Sequence, residues 1–588
     1  MGNIYSERLE EIRSLMRARG WDALVLSGSD PHCSEYPAAR WKQIEWITGF
    51  TGEAADIVIT QDHAGLWTDS RYFIQAGIQL DGTGFTLHKT RVPDQVLIPE
   101  WIRMNLDQDS VLVFDGSCQC VSAVTEFTDE YSVANVPNLI DVLWKNRPGI
   151  PQTPVYAIEA GQTRASKLDW LREFIAGRGA SGMLVSALDE VAWLLNIRAS
   201  DIEYNPMAIA YLLVREDDAS LFILKDEEPD PDSCATFDIL RSQGIHILPY
   251  SDVELVLSEG FEGRLLMDGA TVNYNLWSLC SADVELCESP VQLRKAIKND
   301  YEIQGMRKAH LLDGIAMENF LYWLEKSVQG QHGITEWDAA VKLGKLRAQN
   351  EGYTGDSFET ISAYGPGAAL PHYSTPEENA PMLLEKGLYL CDSGAQYEFG
   401  TTDITRTVPL GECTSLEKED YTLVLKGHID LAMAVFPEGT AGCHLDVLAR
   451  NPLWASKRNF GHGTGHGVGF FLGVHEGPHA IRQNFNSTAL QAGMISSDEP
   501  GIYREGKHGV RHENLILCKE AGTNSFGKWM EFETLTLCHF DTSAIVKELL
   551  GEAEREWLNR YNRRVYESLS PYLSAEVRDW LGEKTAAI

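Results

Sequence analysis

The stretch of sequence that decides the fold runs from residue 388 to residue 513 and contains four motifs. These are LYLCDSGAQYEFGTTDITRT (388–407), FGHGTGHGVGFFLGVHEGP (460–478), SSDEPG (496–501) and GVRHENL (509–515). They supply five potential metal ligands, in the order Asp392, Asp403, His466, Glu499 and Glu513. Carboxylates with one imidazole form a hard ligand set that suits Mn²⁺. Four carboxylates are more charge than one divalent ion neutralises, so the motifs predict a hydrolase with two metal ions.

The first motif predicts a β-hairpin. The residues around Asp392 and around Asp403 have β-like composition, and the segment between them contains glycine. A hairpin would bring both carboxylates to one end of two paired strands. The alternative is that each aspartate caps or turns the chain, which is the commonest use of aspartate in loops.

The two glutamates also lie in β-like surroundings. Glu499 precedes a Pro-Gly turn, which places its carboxylate at the end of a strand. Glu513 lies in a run whose following leucines occupy alternate positions, as in a half-buried strand. A charge in that setting is costly unless it is paired or bound to a metal. The alternative to a metal is an ion pair of Glu513 with Arg511 or Arg406.

The second motif has glycine at every second position from Gly461 to Gly469, which argues against a helix. An unhindered, extended backbone lets its histidines approach a substrate or metal closely. His462, His466 and His475 fall within this region, although the whole chain has only sixteen histidines. A phosphate-binding loop is a weak alternative, because the glycine spacing matches neither the dinucleotide nor the P-loop motif.

The composition limits the number of domains and the kinds of partner. A chain of 588 residues is too long for one hydrophobic core, and roughly three or four domains are expected. The formal net charge is −35, from 85 acidic and 50 basic residues. That sign argues against nucleic-acid and anionic-membrane partners, which both need a basic surface. It favours cationic groups such as the α-ammonium group of a peptide.

The sequence shows no export or membrane signal. No apolar run follows a basic start, and no stretch approaches the roughly 20 apolar residues of a membrane span. Met1 and Gly2, with Ser6, match a myristoylation motif, but so short a match often arises by chance. The eleven cysteines are an odd number without metal-finger spacing, which indicates reduced thiols and a cytoplasmic protein.

The chain before the metal-ligand motifs reads as two similar modules. Residues 1–150 alternate helical and β-rich runs, which predicts an α/β domain that ends in a proline-rich linker, KNRPGIPQTP (145–154). Residues 151–290 repeat the order of strand, turn and aromatic-centred run. We interpret this as a duplicated α/β module. The alternative is two unrelated α/β domains.

The remaining chain predicts a catalytic domain over residues 291–541 and a helical extension over residues 542–588. Apolar residues at helical spacing predict one long helix from Leu293 to Lys326 and a second from Glu336 to Arg347. From Ile545 onward the pattern is again amphipathic and helical, which predicts docking on the body of the protein or on a partner subunit.

The order of these motifs, together with LPHYSTP (370–376), resembles the pita-bread metallopeptidases, which include methionine aminopeptidases, prolidases, creatinase and aminopeptidase P. Over nearly the whole chain the sequence is similar to the long, three-domain aminopeptidase P branch of that family. Segments such as SGSDPHCSEY (27–36), WTDSRYFIQA (67–76) and ALDEVAWLLNIRASDIEYNP (187–206) carry this similarity. The resemblance implies an α/β (α+β) fold, with two creatinase-like N-terminal α/β modules followed by a pita-bread catalytic domain.

The resemblance also implies a role for each site residue. Asp392 would hold one Mn²⁺, His466 and Glu499 would hold a second, and Asp403 and Glu513 would bridge the two, with Zn²⁺ or Co²⁺ as alternatives. The residues implied to contact substrate are His372, His462, His475, Tyr503 and Arg511, the last two lining a proline pocket. Two positions depart from the family pattern. His512 stands where an apolar residue is usual, and Cys391 beside the first aspartate could make the site sensitive to oxidation.

The implied activity is release of the N-terminal residue from peptides with proline at the second position. Glu499 would act as the general base, and His475 with a metal would stabilise the developing oxyanion. His372 is also implied to be a catalytic residue. The free α-amine would bind near Asp392. Two alternatives remain, namely a prolidase that cleaves Xaa-Pro dipeptides and an inactive pita-bread protein that binds peptides. The resemblance further implies a cytoplasmic homodimer.

Overall fold

The computed structural model describes residues 3–224 and 230–588. Met1 and Gly2 of the myristoylation match lie outside the described residues. The chain divides into two compact units, the N-terminal unit Met1–Val291 and the C-terminal unit Gln292–Ile588. The finer division predicted from the sequence, into residues 1–150, 151–290, 291–541 and 542–588, stays a prediction.

The first half of the N-terminal unit is a six-stranded sheet with helices on both faces. Its strands are β1 (Ala23–Ser27), β2 (Asp56–Ile59), β3 (Ala64–Thr68), β4 (Thr86–Lys89), β5 (Val111–Phe114) and β6 (Ser132–Asn135). Its helices are α1 (Ile4–Arg19), α2 (Gln43–Thr48), α3 (Phe73–Gln79), α4 (Ile98–Asn105) and α5 (Val121–Thr125). Leu24 and Leu26 face one core and Ala23 and Val25 the other, because successive side chains of a strand point to opposite faces. Both faces are covered, which explains why β3 is buried at every position.

The second half of the unit repeats this architecture. Its strands are β7 (Tyr156–Ala157), β8 (Gly182–Val185), β9 (Ile197–Arg198), β10 (Ala210–Arg215), β11 (Ala219–Ile223), β12 (Ile245–Pro249), β13 (Arg264–Met267) and β14 (Asp283–Leu286). Its helices are α6 (Arg164–Gly177), α7 (Leu188–Leu195), α8 (Pro231–Ser242), α9 (Asp252–Ser258) and α10 (Tyr274–Leu279). The pair β7–β9 forms a separate ribbon.

The two large sheets have the same topology. The strand order is β4-β3-β2-β1-β5-β6 in the first and β12-β11-β10-β8-β13-β14 in the second. In the first sheet β2 pairs antiparallel with β1 and β3, and in the second β10 pairs antiparallel with β8 and β11. All the other strand pairs of both sheets are parallel. The aromatic-centred run forms a helix in both, α2 and α7. The predicted duplication is therefore confirmed.

The helices of the C-terminal unit correct one prediction. They are α11 (Pro290–Ala296), α12 (Asp300–Gln329), α13 (Glu336–Arg347), α14 (Ser415–Ala432), α15 (Gly442–Ala455), α16 (Glu552–Leu569) and α17 (Ala575–Lys584). The prediction of a single helix from Leu293 to Lys326 is wrong, because α11 ends at Ala296 and a new helix, α12, begins at Asp300. Asn299 caps α12: its side chain accepts hydrogen bonds from two backbone N–H groups, and the Glu302 carboxylate accepts one from the N–H of Asn299. The prediction for α13 is confirmed.

The strands of the C-terminal unit form several sheets that enclose the ligand motifs. They are β15 (Tyr353–Asp356), β16 (Ile361–Tyr364), β17 (Leu388–Ser393), β18 (Ala395–Tyr397), β19 (Gly400–Thr401), β20 (Ile404–Pro409), β21 (Val435–Pro437), β22 (Gly465–Gly467), β23 (Glu476–Ile481), β24 (Ile495–Asp498), β25 (Gly501–Arg504), β26 (His508–Arg511), β27 (Asn514–Asn524) and β28 (Gly527–Thr534). The largest sheet has the order β21-β28-β27-β24-β22-β23, and β16-β17-β20 form another.

The C-terminal helices dock on the body of their own unit. Trp557, Tyr561 and Val565 of α16 are buried, and the rings of Trp557 and Tyr561 stack 5.1 Å apart. The Tyr561 hydroxyl donates to the carbonyl of Cys538 at 2.9 Å. The apolar face of α16 is thus covered within the chain itself. Among the described residues, no helix is both long and apolar enough to span a membrane.

Candidate active site

The strands β17 and β20 bring the two aspartates together. They pair antiparallel, with Asp392 opposite Thr405 and Ser393 opposite Ile404. Asp403 directly precedes Ile404, so it lies at the same end of the pair as Asp392. The short strands β18 and β19 close the connection. The structure forms the predicted hairpin.

The other predicted ligands converge on this end of the hairpin. Asp403, His466 and Glu513 each present one ligand atom, and these atoms lie within 4.8 Å of one another. His466 Nε2 is 3.5 Å from a carboxylate oxygen of Asp403 and 3.5 Å from one of Glu499. The N–H of Glu513 donates to the carbonyl of Thr405 at 3.1 Å, which ties the segment between β26 and β27 to the hairpin. Glu513 therefore lies just outside the strands, and not within one as its pattern predicted.

The carboxylates of this cluster are buried with like charges as neighbours. Asp392, Asp403 and Glu513 are 8%, 3% and 2% exposed. Burial, together with the charges of Asp392 and Glu499, raises the pKa of Asp403 well above its ordinary value. Burial and neighbouring carboxylates likewise raise the pKa of Glu499 and of Glu513. Such a cluster is costly to ionise without cations.

The donor set fits hard divalent cations. Asp392 Oδ1 is buried and has no hydrogen-bond partner among residues 3–224 and 230–588, so it is available as a ligand. His466 hydrogen-bonds to the carbonyl of Gly467 through Nδ1 at 2.9 Å. Donation from Nδ1 leaves the Nε2 lone pair facing the carboxylates, the orientation that a metal-binding histidine requires. Carboxylate oxygens with one imidazole suit Mn²⁺ and related ions.

Two hydroxyl groups hold the ligands in place, and the sequence analysis missed both. Ser497 Oγ accepts from the N–H of His466 at 3.0 Å and donates to Glu499 at 3.3 Å. Thr405 Oγ1 donates to Glu513 at 2.8 Å. Each hydroxyl lies two residues from a ligand in the sequence. Residues two apart on a strand share a face, and that spacing could have identified them.

The glycines of the second motif are required by close packing. Strand β22 lies between β23 and β24. A Cβ atom on Gly465 would lie 2.1 Å from the carbonyl oxygen of Ser497, and one on Gly467 would lie 2.1 Å from that of Glu476. A side chain at either position would push His466 away from the carboxylates.

A chain of hydrogen bonds joins the predicted proline-pocket residues to Asp392. Arg511 contacts Asp392 through Nε at 3.1 Å and donates to the Tyr503 hydroxyl at 2.8 Å. That hydroxyl lies 2.7 Å from His462 Nε2, and His462 Nδ1 lies 2.7 Å from the carbonyl of Gly463. Burial and the charge of Arg511 lower the pKa of His462 to about 3, so the ring is neutral and accepts from Tyr503.

Helix α15 anchors the loop that carries His462. Arg450 donates to the carbonyls of Phe460 at 2.8 Å and of His462 at 2.7 Å. Asp446 pairs with Arg450 and accepts from the Thr464 hydroxyl at 2.6 Å. Both charged residues are almost fully buried. The sequence analysis missed this pair, whose spacing of four residues within a helix would suit a surface ion pair equally well.

His475 and His372 lie beside the cluster. The ring of His475 is 4.3 Å from that of His466, nearly perpendicular to it, and its charge acts on Glu499. His372 is close enough to His462 for its charge to contribute to the lowered pKa of that residue. Contacts therefore join four of the residues predicted to contact substrate to the cluster, namely Arg511, Tyr503, His462 and His475, and His372 lies near His462.

Glu336, at the start of α13, holds the loop that carries His372. Its carboxylate accepts from the Tyr373 hydroxyl at 2.7 Å and from the N–H of Tyr364 at 2.6 Å. Burial raises the pKa of Glu336 to about 7. The sequence analysis missed this residue. By contrast, Cys391 is fully buried and burial raises the pKa of its thiol to about 11, which argues against oxidation at this position, and the sensitivity of the site to oxidation stays a prediction.

Comparisons with known proteins agree with this arrangement. Residues 304–520 match metallopeptidase family M24, residues 8–143 and 146–302 match the creatinase/prolidase N-terminal domain, and residues 528–588 match the C-terminal region of peptidase M24. The predicted order of two creatinase-like modules and a pita-bread domain is thereby confirmed.

Relatives of known name are similar over almost their entire length. The chain is 41% identical over 595 residues to a probable Xaa-Pro aminopeptidase P of Verticillium alfalfae, covering 95% of each. It is 37% identical over 648 residues to aminopeptidase P1 of Arabidopsis thaliana, covering 99% of each. Its fold is similar to that of the X-prolyl aminopeptidase of Caenorhabditis elegans, with a TM-score of 0.94, 36% identity and coverage of 99% and 100%. That protein is described as a cytosolic enzyme with a di-nuclear active site.

Proposed function

The chain belongs to the aminopeptidase P branch of metallopeptidase family M24 and is a metalloaminopeptidase, and we propose that it releases the N-terminal residue from peptides with proline at the second position. The observation that carries this proposal is the convergence of Asp403, His466 and Glu513 within 4.8 Å, with Glu499 beside them. The hydrogen-bond chain from Arg511 through Tyr503 to His462 supports the specificity for proline, because it holds two neutral rings, those of Tyr503 and His462, next to the cluster.

We propose that the five ligands hold two Mn²⁺ ions. Asp392 would bind one ion, His466 and Glu499 the other, and Asp403 and Glu513 both. When bound, two such cations lower the pKa of a shared water and polarise the substrate carbonyl. The raised pKa values of three of the carboxylates support two ions, since the four carboxylates carry four negative charges, and one divalent cation together with Arg511 would leave one of them uncompensated. Zn²⁺ and Co²⁺ are the alternatives.

The chain's own residues move the proton and stabilise the developing charge. Glu499 takes the proton of the attacking water as the oxygen bonds to the carbonyl carbon. As the carbon–nitrogen bond breaks, Glu499 passes that proton to the proline nitrogen. His475, beside His466, donates a hydrogen bond to the carbonyl oxygen as it becomes negative. His372, held by the loop anchored at Glu336, lies on the His462 side of the cluster and orients the peptide.

The preference for proline follows because the pocket does not require an N–H group on the second residue of the substrate. An Xaa-Pro bond is a tertiary amide without an N–H, and its ring fixes φ. The rings of Tyr503 and His462 can pack against the proline ring of the substrate. The pocket needs no hydrogen-bond acceptor there, because the substrate amide has no N–H. The peptide's α-ammonium group would bind near Asp392. Arg511 already contacts Asp392 and Tyr503, which favours the aminopeptidase over a prolidase, whose dipeptide carboxylate needs a cation of its own.

Release of the first residue from an Xaa-Pro-Yaa tripeptide tests the proposal. The protein is treated with a chelator and assayed before and after Mn²⁺ is restored, with Xaa-Ala-Yaa and the Xaa-Pro dipeptide as matched substrates. We expect Mn²⁺-dependent cleavage of the proline tripeptide alone. Cleavage of the dipeptide alone would indicate a prolidase, and no cleavage of any substrate would favour a peptide-binding protein.

We also propose that the protein is a cytoplasmic homodimer, as its family resemblance implies. The cytosolic description of the nematode enzyme supports the location, and the net charge of −35 fits a protein without nucleic-acid or membrane partners. The helices α16 and α17 bury their apolar residues within the chain, so a dimer contact is expected elsewhere. Sedimentation velocity of the purified protein would measure the oligomeric state.

A further inference from the structure

Three of the eleven cysteines lie close together in the N-terminal unit. Cys33 is in the loop after β1, Cys120 directly precedes α5, and Cys118 is fully buried near both. Asn273 joins the two loops, because it forms a β-bridge with Cys120 and donates to the carbonyl of Pro31, two residues before Cys33, and the two thiols act on each other's pKa. Both residues are half-buried. These two thiols are 87 positions apart in the sequence, and only the fold brings them together.

The two thiols of the pair differ in character. Cys120 Sγ lies 3.3 Å from the Ser122 hydroxyl. Hydrogen bonds from Cys33, Ser122 and the N–H of Ala123 lower the pKa of Cys120 to about 6, even though burial opposes this. The hydrogen bond with Cys120, together with burial, raises the pKa of Cys33 well above its ordinary value. At neutral pH the pair therefore consists of one thiolate and one thiol, the combination that reacts fastest with an oxidant and then with itself.

The pair lies where the first module of the unit contacts the second. His32, next to Cys33, is 2.7 Å from the carbonyl of Ser186 and 2.8 Å from the Tyr250 hydroxyl. Asn273 donates to the carbonyl of Pro31 at 2.8 Å and forms a β-bridge with Cys120. The loops that carry the two thiols thus both contact the second module.

We propose that Cys33 and Cys120 are a redox-modification site, which a hydroperoxide converts to a disulfide. The Cys120 thiolate attacks the peroxide, so that its sulfur gains oxygen to become a sulfenic acid and hydroxide leaves. The Cys33 sulfur then attacks the Cys120 sulfur, the oxygen leaves as water with the protons of the thiol and the sulfenic acid, and the sulfur–sulfur bond forms. The two sulfurs lose two electrons, and hydrogen peroxide is reduced to one water and one hydroxide, which takes a proton from solvent to become the second water.

The disulfide would stabilise the junction between the modules. It would close a loop of roughly 90 residues and so restrict the unfolded chain strongly. We expect the thermal midpoint of the oxidised protein to exceed that of the reduced protein by about 3 °C or more. A thiol reductant such as dithiothreitol would reverse the change.

The test uses the intact protein and a readout independent of peptidase activity. The protein is exposed to a small excess of hydrogen peroxide at neutral pH, its remaining thiols are alkylated, and a digest is analysed by mass spectrometry for peptides linked through cysteine. We expect a Cys33–Cys120 link, loss of two free thiols and recovery of both with dithiothreitol. A link between Cys118 and Cys120, or none at all, would overturn the proposal.

Variants separate the pair from general oxidation. Cys33→Ser and Cys120→Ser should abolish both the link and the rise in thermal midpoint. Cys280→Ser, which removes another half-buried thiol of the same unit, should change neither. The rate of thiol loss in the wild-type protein and in Cys280→Ser should rise with pH through a midpoint near 6, and this rise should be absent in Cys120→Ser. A midpoint near 8.5, the value of an ordinary thiol, would contradict the proposal.

Discussion

Two groups of charged residues in the C-terminal unit, one around Asp420 and one in the active site, affect the pKa of their buried carboxylates in opposite ways. Asp420 is fully buried, and it accepts from Arg504 at 2.9 Å, lies 2.9 Å from His508 Nε2 and pairs with Arg458 at 3.1 Å. Burial raises its pKa, but these cationic partners more than offset the effect and hold the pKa below its ordinary value. In the active-site cluster, burial and like charges raise the pKa of Asp403, Glu499 and Glu513.

The comparison shows that burial alone does not decide the state of a carboxylate. Asp420 obtains its cations from the chain, so its charge stabilises the fold. The active-site carboxylates have Arg511 against Asp392 but an excess of negative charge. Their missing cations must come from solution, which makes the cluster a binding site. The same fold therefore contains one acidic cluster that supports structure and one that costs stability until metal binds.

Removal of the proposed general base should have the largest effect. Glu499→Gln keeps the volume of the side chain but can neither take a proton nor bind cations as a carboxylate. We expect kcat for a proline tripeptide to fall by about 10³-fold or more. Steady-state assays at saturating Mn²⁺, with metal content measured in parallel, would test this.

The matched control for that variant is Glu505→Gln, an exposed glutamate six positions later. It should retain wild-type kcat, and both variants should have wild-type circular dichroism. Near-normal turnover in Glu499→Gln would rule out the proposed role of Glu499.

Removal of metal should destabilise the protein increasingly as the pH rises. The folded pKa values of Asp403, Glu499 and Glu513 lie above the unfolded values, so the stability that these groups contribute without metal is present at low pH and lost as the pH rises through the folded values. Bound cations keep the carboxylates ionised and remove this loss. Metal at about 100 times its dissociation constant contributes about 2.7 kcal/mol per site.

Thermal unfolding with and without chelator, at several pH values from 5 to 8, would measure this effect. The difference between the metal-loaded and metal-free midpoints should grow with pH. A difference that is constant or that shrinks would mean that the carboxylates are not the groups that the cations neutralise.

The sequence indicated the ligands and the duplicated modules because both depend on local patterns. Asp392, Asp403 and Glu499 lie at strand ends that composition and Pro-Gly turns mark. The repeated order of strand, turn and aromatic run has a counterpart in two sheets of equal topology. The break before α12 was missed because the helical spacing of apolar residues continues across Asn299, and the capping side chain overrides it.

The residues that support the site were not predicted, because their partners are distant in the chain. Glu336 bonds to Tyr373, 37 positions later, and Arg406 donates to the backbone carbonyl of Glu513, 107 positions later. Neither glutamate nor arginine carries a local signal that distinguishes a buried anchor from a surface charge. Such contacts depend on tertiary placement, which periodicity does not specify.

Loss of the structural carboxylate should cost stability without affecting metal. Asp420→Asn leaves Arg504 and Arg458 with reduced compensation, although both arginines retain some exposure, so we expect a loss of about 2 kcal/mol at neutral pH. Because the folded pKa of Asp420 is depressed, its contribution is present above the unfolded pKa and lost as the pH falls through the folded value. Denaturant unfolding at pH 7 and at pH 3 would show this dependence, opposite in sign to that of the active-site cluster.

Glu419→Gln is the matched control for Asp420→Asn. Glu419 also pairs with Arg458, but its side chain is 43% exposed, and we expect a change of at most about 0.5 kcal/mol. Bound metal should be unchanged in both variants. Loss of metal from Asp420→Asn would mean that the two clusters are coupled and that the contrast between them is incomplete.

The smallest effect is expected at His512, whose ring nitrogens have no hydrogen-bond partner in the part of the chain that the structure describes. Its ring is fully buried, with Tyr421 at 4.5 Å and Phe540 at 5.4 Å, and neither ring nitrogen has a partner among residues 3–224 and 230–588. A buried polar ring without partners is destabilising, so His512→Leu should stabilise the protein by about 1 kcal/mol in denaturant unfolding. His428→Leu is the control, because His428 bonds to the carbonyl of Asp498 at 3.0 Å and to Asn514 at 3.0 Å, and its loss should destabilise. If His512→Leu were also destabilising, the ring would have a role that its apolar surroundings do not reveal, and a buried polar group without partners would no longer be a reliable indication of a binding site.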